Sequence, residues 1–333
     1  MPMANSLSAQ IGHIVENVPG RMGVSVRLIG KGSVLEVNSS SAYPLASVYK
    51  MPMMAVLFHK AAKGEINLNH RLTLHEDDKS IGSDLIFFDA GTRLTLRELC
   101  LMMVVHSDNT ATDMIHRYLG IDAPNKYMRE LGLDSIDIYC PCREGFLLTM
   151  DKSKRFKGKS RGEIARQWAR ISRDERIRML DEVREETRDL SPRQFVEETI
   201  ELWGISSEKE TKGDREAGQA IDNYGSPSDI ARLLELVATN KIAPERLTRQ
   251  MIEFMVNCDV KDRMALRIPG GVLVANKSGG MPGTVNDSGI IFASKKKQVC
   301  VACLANDVKY KDRKAVSEAI GEVGLAVYKA FKD

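Results

Sequence analysis

Cysteine is scarce, with six in 333 residues, at positions 100, 140, 142, 258, 300 and 303. They are too few and too scattered for a disulfide scaffold. Cys140-Pro141-Cys142 is not a zinc-ribbon spacing, and no second Cys/His pair with ligand spacing accompanies it, so no structural metal is expected. The six should be free, mostly buried thiols, with Cys300 and Cys303 inside the apolar run Val299-Cys300-Val301-Ala302-Cys303-Leu304. Charge imbalance is slight as well. A net charge of +3 argues against a general nucleic-acid binder or a polybasic membrane protein. No stretch approaches the ~18 consecutive apolar residues that span a bilayer. The first 18 residues lack a basic region leading into an apolar core, with Gly12, His13 and Glu16 interrupting any candidate. The chain as written is therefore expected in the cytoplasm, or exported if a signal peptide has been removed from it. Internal repeats are missing too. The composition that remains, 43% hydrophobic and 28% charged, is that of an ordinary globular protein of one large domain or two intimately packed ones.

In chain order, residues 6–18 read as a helix stopped by Pro19-Gly20, and residues 23–38 as a hairpin turning at Gly30-Lys31-Gly32. Residues 94–109 open with Thr95 and Glu98, a capping box. The helix that follows is apolar nearly all round and so belongs in the core. It ends abruptly on the polar Ser107-Asp108-Asn109. His106, beside a core helix, reads as a packed structural residue. Residues 150–218 are charged, with helices expected over 163–171, 173–188 (capped by Ser172 with Glu175) and 193–203 (Ser191-Pro192 at its start, Gly204 as the stop). Ile177, Leu180, Val183, Phe195, Ile200 and Trp203 supply one apolar stripe per helix. This segment reads as a solvated helical insertion packing on the body, with a lid or a homo-oligomer contact as the alternative. Further helices are expected over 227–239, from Pro244 to about Cys258, and over 313–331. Three strand-like segments lie at 272–280, 288–293 and 298–305. Strands at both ends and helices in the middle imply an α+β fold. One antiparallel sheet of about five strands, from residues 1–42 and 222–333, would stand beside a helical domain over 43–221.

Chemistry points to Pro44-Leu45-Ala46-Ser47-Val48-Tyr49-Lys50. Residues three apart share a helix face, so the Lys50 amine would sit beside the Ser47 hydroxyl. Serine is a weak nucleophile until a base takes its proton. A lysine can be that base only if burial or nearby cations depress its pKa, and the apolar run Met51–Phe58 could supply burial. S-x-x-K alone is common by chance. Three polar groups closing a buried helix at 107–109 are a second signal, because such groups need partners or a task.

Ser47-x-x-Lys50, Ser107-Asp108-Asn109 and Lys277-Ser278-Gly279, in that order, resemble the signature set of class A β-lactamases and related penicillin-recognising serine hydrolases. Gly82-Ser83, the Leu94–Thr112 passage and the Ser226-Pro227 helix start extend the resemblance over most of 20–135 and 222–331. It does not cover the insertion. The resemblance implies Ser47 as nucleophile, Lys50 as proton acceptor or relay, and Ser107 as donor to the leaving nitrogen. Asn109 would bind the substrate amide or orient Lys50, and Lys277 and Ser278 would hold a substrate carboxylate. The backbone N–H groups of Ser47 and Gly280 would form the oxyanion hole. It implies no cofactor and a small amide or β-lactam as substrate. The family's E-x-x-L-N acid loop is absent, and Glu144 is the best candidate for its deacylating base. The expected function is acyl-enzyme hydrolysis of β-lactams. The alternatives are a cytosolic amidase, esterase or peptidase on the same scaffold, or a sensor acylated without turnover.

Overall fold

The computed structural model describes residues 2–203 and 209–333. In chain order the first elements are α1 (Pro2–Asn17), β1 (Arg21–Leu28), β2 (Gly32–Val37), β3 (Tyr43–Pro44) and α2 (Lys50–Ala62). They are followed by β4 (Arg71–Thr73), β5 (Arg93–Thr95), α3 (Leu96–Val105), α4 (Asn109–Leu119) and α5 (Asp122–Glu130). The middle of the chain is helical: α6 (Cys142–Thr149), α7 (Arg161–Trp168), α8 (Arg173–Glu186), α9 (Pro192–Trp203) and α10 (Lys212–Ala220). After β6 (Tyr224–Gly225) come α11 (Pro227–Ala238), α12 (Glu245–Val256), β7 (Val274–Met281), β8 (Gly283–Ile291), β9 (Val299–Val308) and α13 (Arg313–Phe331).

The five-stranded antiparallel sheet has the order β2-β1-β9-β8-β7, so the two chain ends do build one sheet. Strands β8 and β9 are apolar or buried along nearly their whole length because both sheet faces are covered. On one face α1 and α13 pack through Leu7, Ile11, Val316, Ile320 and Val327 against Val24, Val26, Val301 and Cys303. On the other, Ile290, Cys300, Ala302 and Leu304 join a core with α2, α3, α11 and α12. Helices α11 and α12 therefore share the core of the helical lobe, although position along the chain groups residues 222–333 with the sheet. All six cysteines are free thiols, and five are buried. Among the described residues, no helix is long and apolar enough to cross a membrane.

Helix α2 is buried all round: Met51, Met53, Met54, Ala55, Val56, Leu57 and Phe58 are each at most 2% exposed. Each large side chain buried in this way contributes roughly 1.5–3 kcal/mol. That driving force draws the first residue of the helix, Lys50, out of water with them. Helix α3 begins as its capping box requires, with Thr95 N–H donating to the Glu98 carboxylate at 2.7 Å and Glu98 N–H donating to Thr95 Oγ1 at 3.1 Å. His106, at its end, is exposed rather than packed, and its Nδ1 pairs with Asp259 at 2.8 Å. The polar break at 107–109 leaves His106 on the surface rim instead of continuing the buried helix.

The charged insertion has a core of its own. Trp168, Phe156, Leu180, Val183 and Phe195 are buried with Tyr139, Leu147, Leu148 and Ile221, and Ile177 packs against them. The side chains of Ile200 and Trp203, and Gly204, lie outside the described residues. Arg184 on α8 pairs with Asp77 at 3.1 Å, and Arg173 donates to Asp137 at 2.9 Å, fastening the insertion to the lobe beneath.

Candidate active site

The chain reaches Ser47 through a strained turn. Ala46 adopts φ +44°, a left-handed conformation that costs a non-glycine residue about 1–2 kcal/mol. Ser47 then lies in a 3-10 turn, Ala46–Tyr49, which runs directly into α2. Three residues from distant parts of the sequence hold this turn. Asn286 on β8 donates from Nδ2 to the carbonyls of Pro44 and Leu45 at 2.9 and 3.0 Å, while its Oδ1 accepts from Ala305 N–H. The Ala46 N–H donates to Asp222 Oδ2 at 2.7 Å. Gly279 on β7 closes the other side. A Cβ there would lie 2.7 Å from the Leu45 carbonyl oxygen and 3.1 Å from each of the Ser47 and Val48 nitrogens. Only glycine lets β7 come this near, which brings the next residue, Gly280, to the cavity that Ser47 lines.

Lys50 is fully buried. Its Nζ donates to the Ser107 carbonyl at 2.6 Å, to Asn109 Oδ1 at 2.7 Å and to Ser107 Oγ at 3.3 Å. Burial lowers its pKa, partly opposed by the Cys142 thiol and the Asp108 and Asp113 carboxyls. Ser107 is itself left-handed at φ +59°. That conformation turns its carbonyl and hydroxyl back toward the lysine, and strain of this kind gathers at functional sites. Asp108 carries the architecture. Its carboxylate accepts from Ala111 N–H, Ser83 Oγ and Leu85 N–H, capping α4 and fixing the Gly82-Ser83 loop. Asn109 Nδ2 donates to the Ile81 carbonyl at 2.8 Å, and a Cβ on Gly82 would meet that nitrogen at 2.8 Å. The loop must therefore have glycine at position 82, where φ is +67°.

Lys277 on β7 is also fully buried, with Nζ donating to the Ser278 carbonyl at 3.1 Å. Burial, with Lys50 and Arg263 adding like-charge repulsion, pulls its pKa down to about 8. Two guanidiniums that sequence reasoning did not place stand beside it. Arg263 donates to the carbonyls of Gly279 and Asn286, both at 2.6 Å, and Arg313 donates to the Met281 carbonyl at 2.6 Å. A Cβ on Gly280 would lie 3.0 Å from Arg313 and 3.2 Å from Arg263. The strand edge is thus a concentration of positive charge next to Lys277.

The cavity of about 110 Å³ is lined by Ser47, Tyr49, Asn109, Cys142, Asp222 and Gly280, among others. Its far wall is the start of α6. That wall is held by Asn223, whose Oδ1 accepts from the N–H groups of Tyr139 and Cys140, and by Asp113, which accepts from the Cys142 and Arg143 N–H groups. The Cys142 thiol lies 3.3 Å from Asn109 Oδ1 and 3.0 Å from the Tyr49 hydroxyl. Glu144 is not brought to this cavity. Residues 142–149 form a helix rather than a loop, and Glu144, in its first turn, is 2% exposed and faces Asp113, Arg143 and Arg184 behind the wall. Ser47, Asn109 and Gly280 do line the cavity, Lys50 and Ser107 meet behind it, and Lys277 and Ser278 occupy the adjoining strand.

A model of the β-lactamase enzyme family matches residues 6–331. The chain belongs to that family. The match runs through the insertion as well as the three motifs. A β-lactamase of Phocaeicola vulgatus is 22% identical over 98% of this chain and 85% of its own length. Beta-lactamase SME-1 of Serratia marcescens is 26% identical over 39% of this chain, and the alignment spans only 45% of that relative's length. Among solved structures, TLA-3 extended-spectrum β-lactamase superposes with a TM-score of 0.70 at 19% identity, over 99% of this chain and 100% of that one. A mutant of PBP-A, solved as an acyl-enzyme complex with penicillin G, gives a TM-score of 0.70 at 20% identity, over 98% and 96%. The fold is therefore the α+β β-lactamase fold, a class A β-lactamase-like serine-hydrolase scaffold.

Within this family frame, the residues that sequence reasoning missed are Asp222, Asn286, Arg263 and Arg313. Asn286 and Asp222 carry a faint signal: each is a polar residue in an otherwise buried run, Val285-Asn286-Asp287 and Ile221-Asp222-Asn223. Such residues demand partners. The two arginines show none, because only the fold brings them to β7.

Proposed function

We propose that the protein is a serine hydrolase that forms an acyl-enzyme at Ser47 and opens β-lactam rings. The observation that carries this reading is the environment of Lys50. Two of its partners, the Ser107 carbonyl and Asn109 Oδ1, can only accept, whereas the third, Ser107 Oγ, can also donate. A neutral amine satisfies this set with two N–H donors, its lone pair free to take a hydroxyl proton. Burial favours that neutral form.

In the reaction, Lys50 takes the Ser47 proton as Oγ attacks the lactam carbonyl. The oxyanion is held by the N–H groups of Ser47 and Gly280, where β7 and the turn are pressed together at Gly279. The proton passes through Ser107 Oγ to the departing ring nitrogen, which completes the ring opening. Lys277, Arg263 and Arg313 supply positive charge and Ser278 a hydroxyl for a substrate carboxylate, and Asn109 supplies an amide contact.

One observation favours a second reading, slow turnover with a long-lived adduct. The wall facing Ser47 carries thiols, and Glu144 lies behind it. Intact mass after mixing with a penicillin and a chromogenic cephalosporin separates the two, with Ser47→Ala alongside. Substrate consumed only by the wild type, with no lasting adduct, supports a working β-lactamase. A persistent adduct on the wild type supports the slow reading. Neither adduct nor turnover refutes β-lactam chemistry and moves the search to small amides and esters at the same serine.

A further inference from the structure

We infer that Asp222 is the base that removes a proton from the water hydrolysing the Ser47 acyl-enzyme, an assignment that rests on the reading of Ser47 as the acylated nucleophile. Among the residues lining the cavity, Asp222 alone has a carboxyl group. It stands at the nucleophile turn itself, accepting at 2.7 Å from the N–H of Ala46, the residue before Ser47. The Asn223 N–H also bonds to it. A carboxylate offers about four lone-pair sites, so two backbone donors leave acceptor capacity for a water in the cavity.

The other nearby acids stand outside the cavity. Asp108 accepts from Ser83, Leu85 and Ala111 and does not line it. Asp113 holds the N–H groups of Cys142 and Arg143, and Glu144, in the first turn of α6, faces Asp113, Arg143 and Arg184. Neither Asp113 nor Glu144 lines the cavity.

The surroundings suit a base working near neutrality. Asp222 is 4% exposed, and burial raises its pKa from the ordinary carboxylate value to about 7. The titratable groups facing it are the thiols of Cys140 and Cys142 from the α6 wall and the Tyr224 hydroxyl from β6, none of them a cation. In the step itself the water oxygen bonds to the acyl carbon and one water proton passes to Asp222. The acyl carbon–Oγ bond then breaks as the oxyanion collapses. The proton held by Asp222 is relayed through solvent and the neutral Lys50 amine to Ser47 Oγ as the serine leaves, resetting the site.

Asp222 also supports the strained Ala46 turn, so the test must separate basicity from support. Asp222→Asn keeps an oxygen to accept from Ala46 N–H and loses the base. Penicillin G and a chromogenic cephalosporin are mixed with the wild type and Asp222→Asn, and intact mass is followed in time to give acylation and deacylation rates separately. Acylation of Asp222→Asn should stay within about threefold of the wild type, while deacylation falls by about 10²–10⁴-fold. Wild-type deacylation should climb with pH through about 7, as the carboxyl ionises, and the residual rate of the variant should not. Equal deacylation in the two proteins would assign Asp222 to support alone and overturn the inference. A persistent adduct on the wild type also overturns it while leaving Ser47 acylation intact. Neither adduct nor turnover on the wild type refutes the Ser47 reading and this inference with it. Should Asp222→Asn fail to fold, the wild-type profile decides, since a deacylation rate flat from about pH 5 to about pH 9 is incompatible with this base.

Discussion

Gly279→Ala is the smallest change that tests whether the closeness of β7 to the nucleophile turn matters. The new Cβ would lie 2.7 Å from the Leu45 carbonyl oxygen and 3.1 Å from the Ser47 and Val48 nitrogens. All three are backbone atoms, so no side chain can rotate away. Ordinary contact begins near 3.4 Å, so the strand or the turn must retreat by roughly 0.7 Å. The turn is held on its other sides by Asn286 and Asp222, which leaves the β7 edge to move. That displacement takes the Gly280 N–H away from the Ser47 N–H. A misplacement on this scale costs about 10²-fold in rate, and losing one oxyanion donor outright costs about 10²–10³-fold. We therefore expect kcat/KM for a chromogenic cephalosporin to fall by about 10²-fold or more. The overpacking should cost about 1–3 kcal/mol, read by urea unfolding. A variant within about threefold of wild-type kcat/KM would refute the argument that this approach aligns the oxyanion site.

Two further perturbations follow from the same contacts. Asn286→Ala strips donors from two buried carbonyls and the acceptor from Ala305 N–H, and should lower stability by about 2–4 kcal/mol in denaturant unfolding; a loss under about 0.5 kcal/mol would count against its role as a clamp. Lys277, fully buried with its pKa drawn down from 10.5 to about 8, binds its proton less tightly folded than unfolded. Its ionisation penalty is therefore fully present below pH 8 and is relieved as pH rises from 8 toward 10.5. Lys277→Met should accordingly raise stability near neutral pH by about 2–3 kcal/mol and lose that alkaline rise, while kcat/KM toward a carboxylate-bearing penicillin falls. An unchanged stability–pH curve would show that the lysine is hydrated rather than dry.

The pattern of what was legible in the chain has a physical basis. Apolar periodicity and capping residues are local, and they located α3, α11, α13 and the strands β7 and β9 closely, whereas the 288–293 segment caught only the second half of β8, whose first half is the more polar Gly283–Asp287. The motif residues are legible as an ordered set, and the fold brings Ser47, Asn109 and Gly280 to one cavity with Lys50 and Ser107 behind it. Helix α10 passed unread because Lys212–Ala220 has two glycines, two lysine or arginine residues and little apolar stripe; it forms because Thr211 caps it through Asp214 and it packs against α7. The stretch 142–149 resembled a loop because its helix depends on Asp113, about thirty residues earlier, receiving its first N–H groups. Asp222, Asn286, Arg263 and Arg313 share this cause. Each acts across the fold, and no nearby residue announces its partner.

The separate core of the insertion has a consequence for the lifetime of anything bound at Ser47. Its buried cluster includes Leu147, Leu148 and Ile221, which flank the α6 wall and Asp222. Leu45, Val48 and Tyr49, which flank Ser47 and Lys50, belong instead to the core of α2 and α3. The two walls of one cavity thus rest largely on two buried clusters, and regions of one structure can open with different free energies. Loosening around Trp168 would reach the α6 wall first, and the turn at Ser47 only through the Asp222 carboxylate that accepts from Ala46 N–H. On the proposed reading of Ser47, changes in the insertion core would alter how long an adduct persists through residues that never touch the ligand.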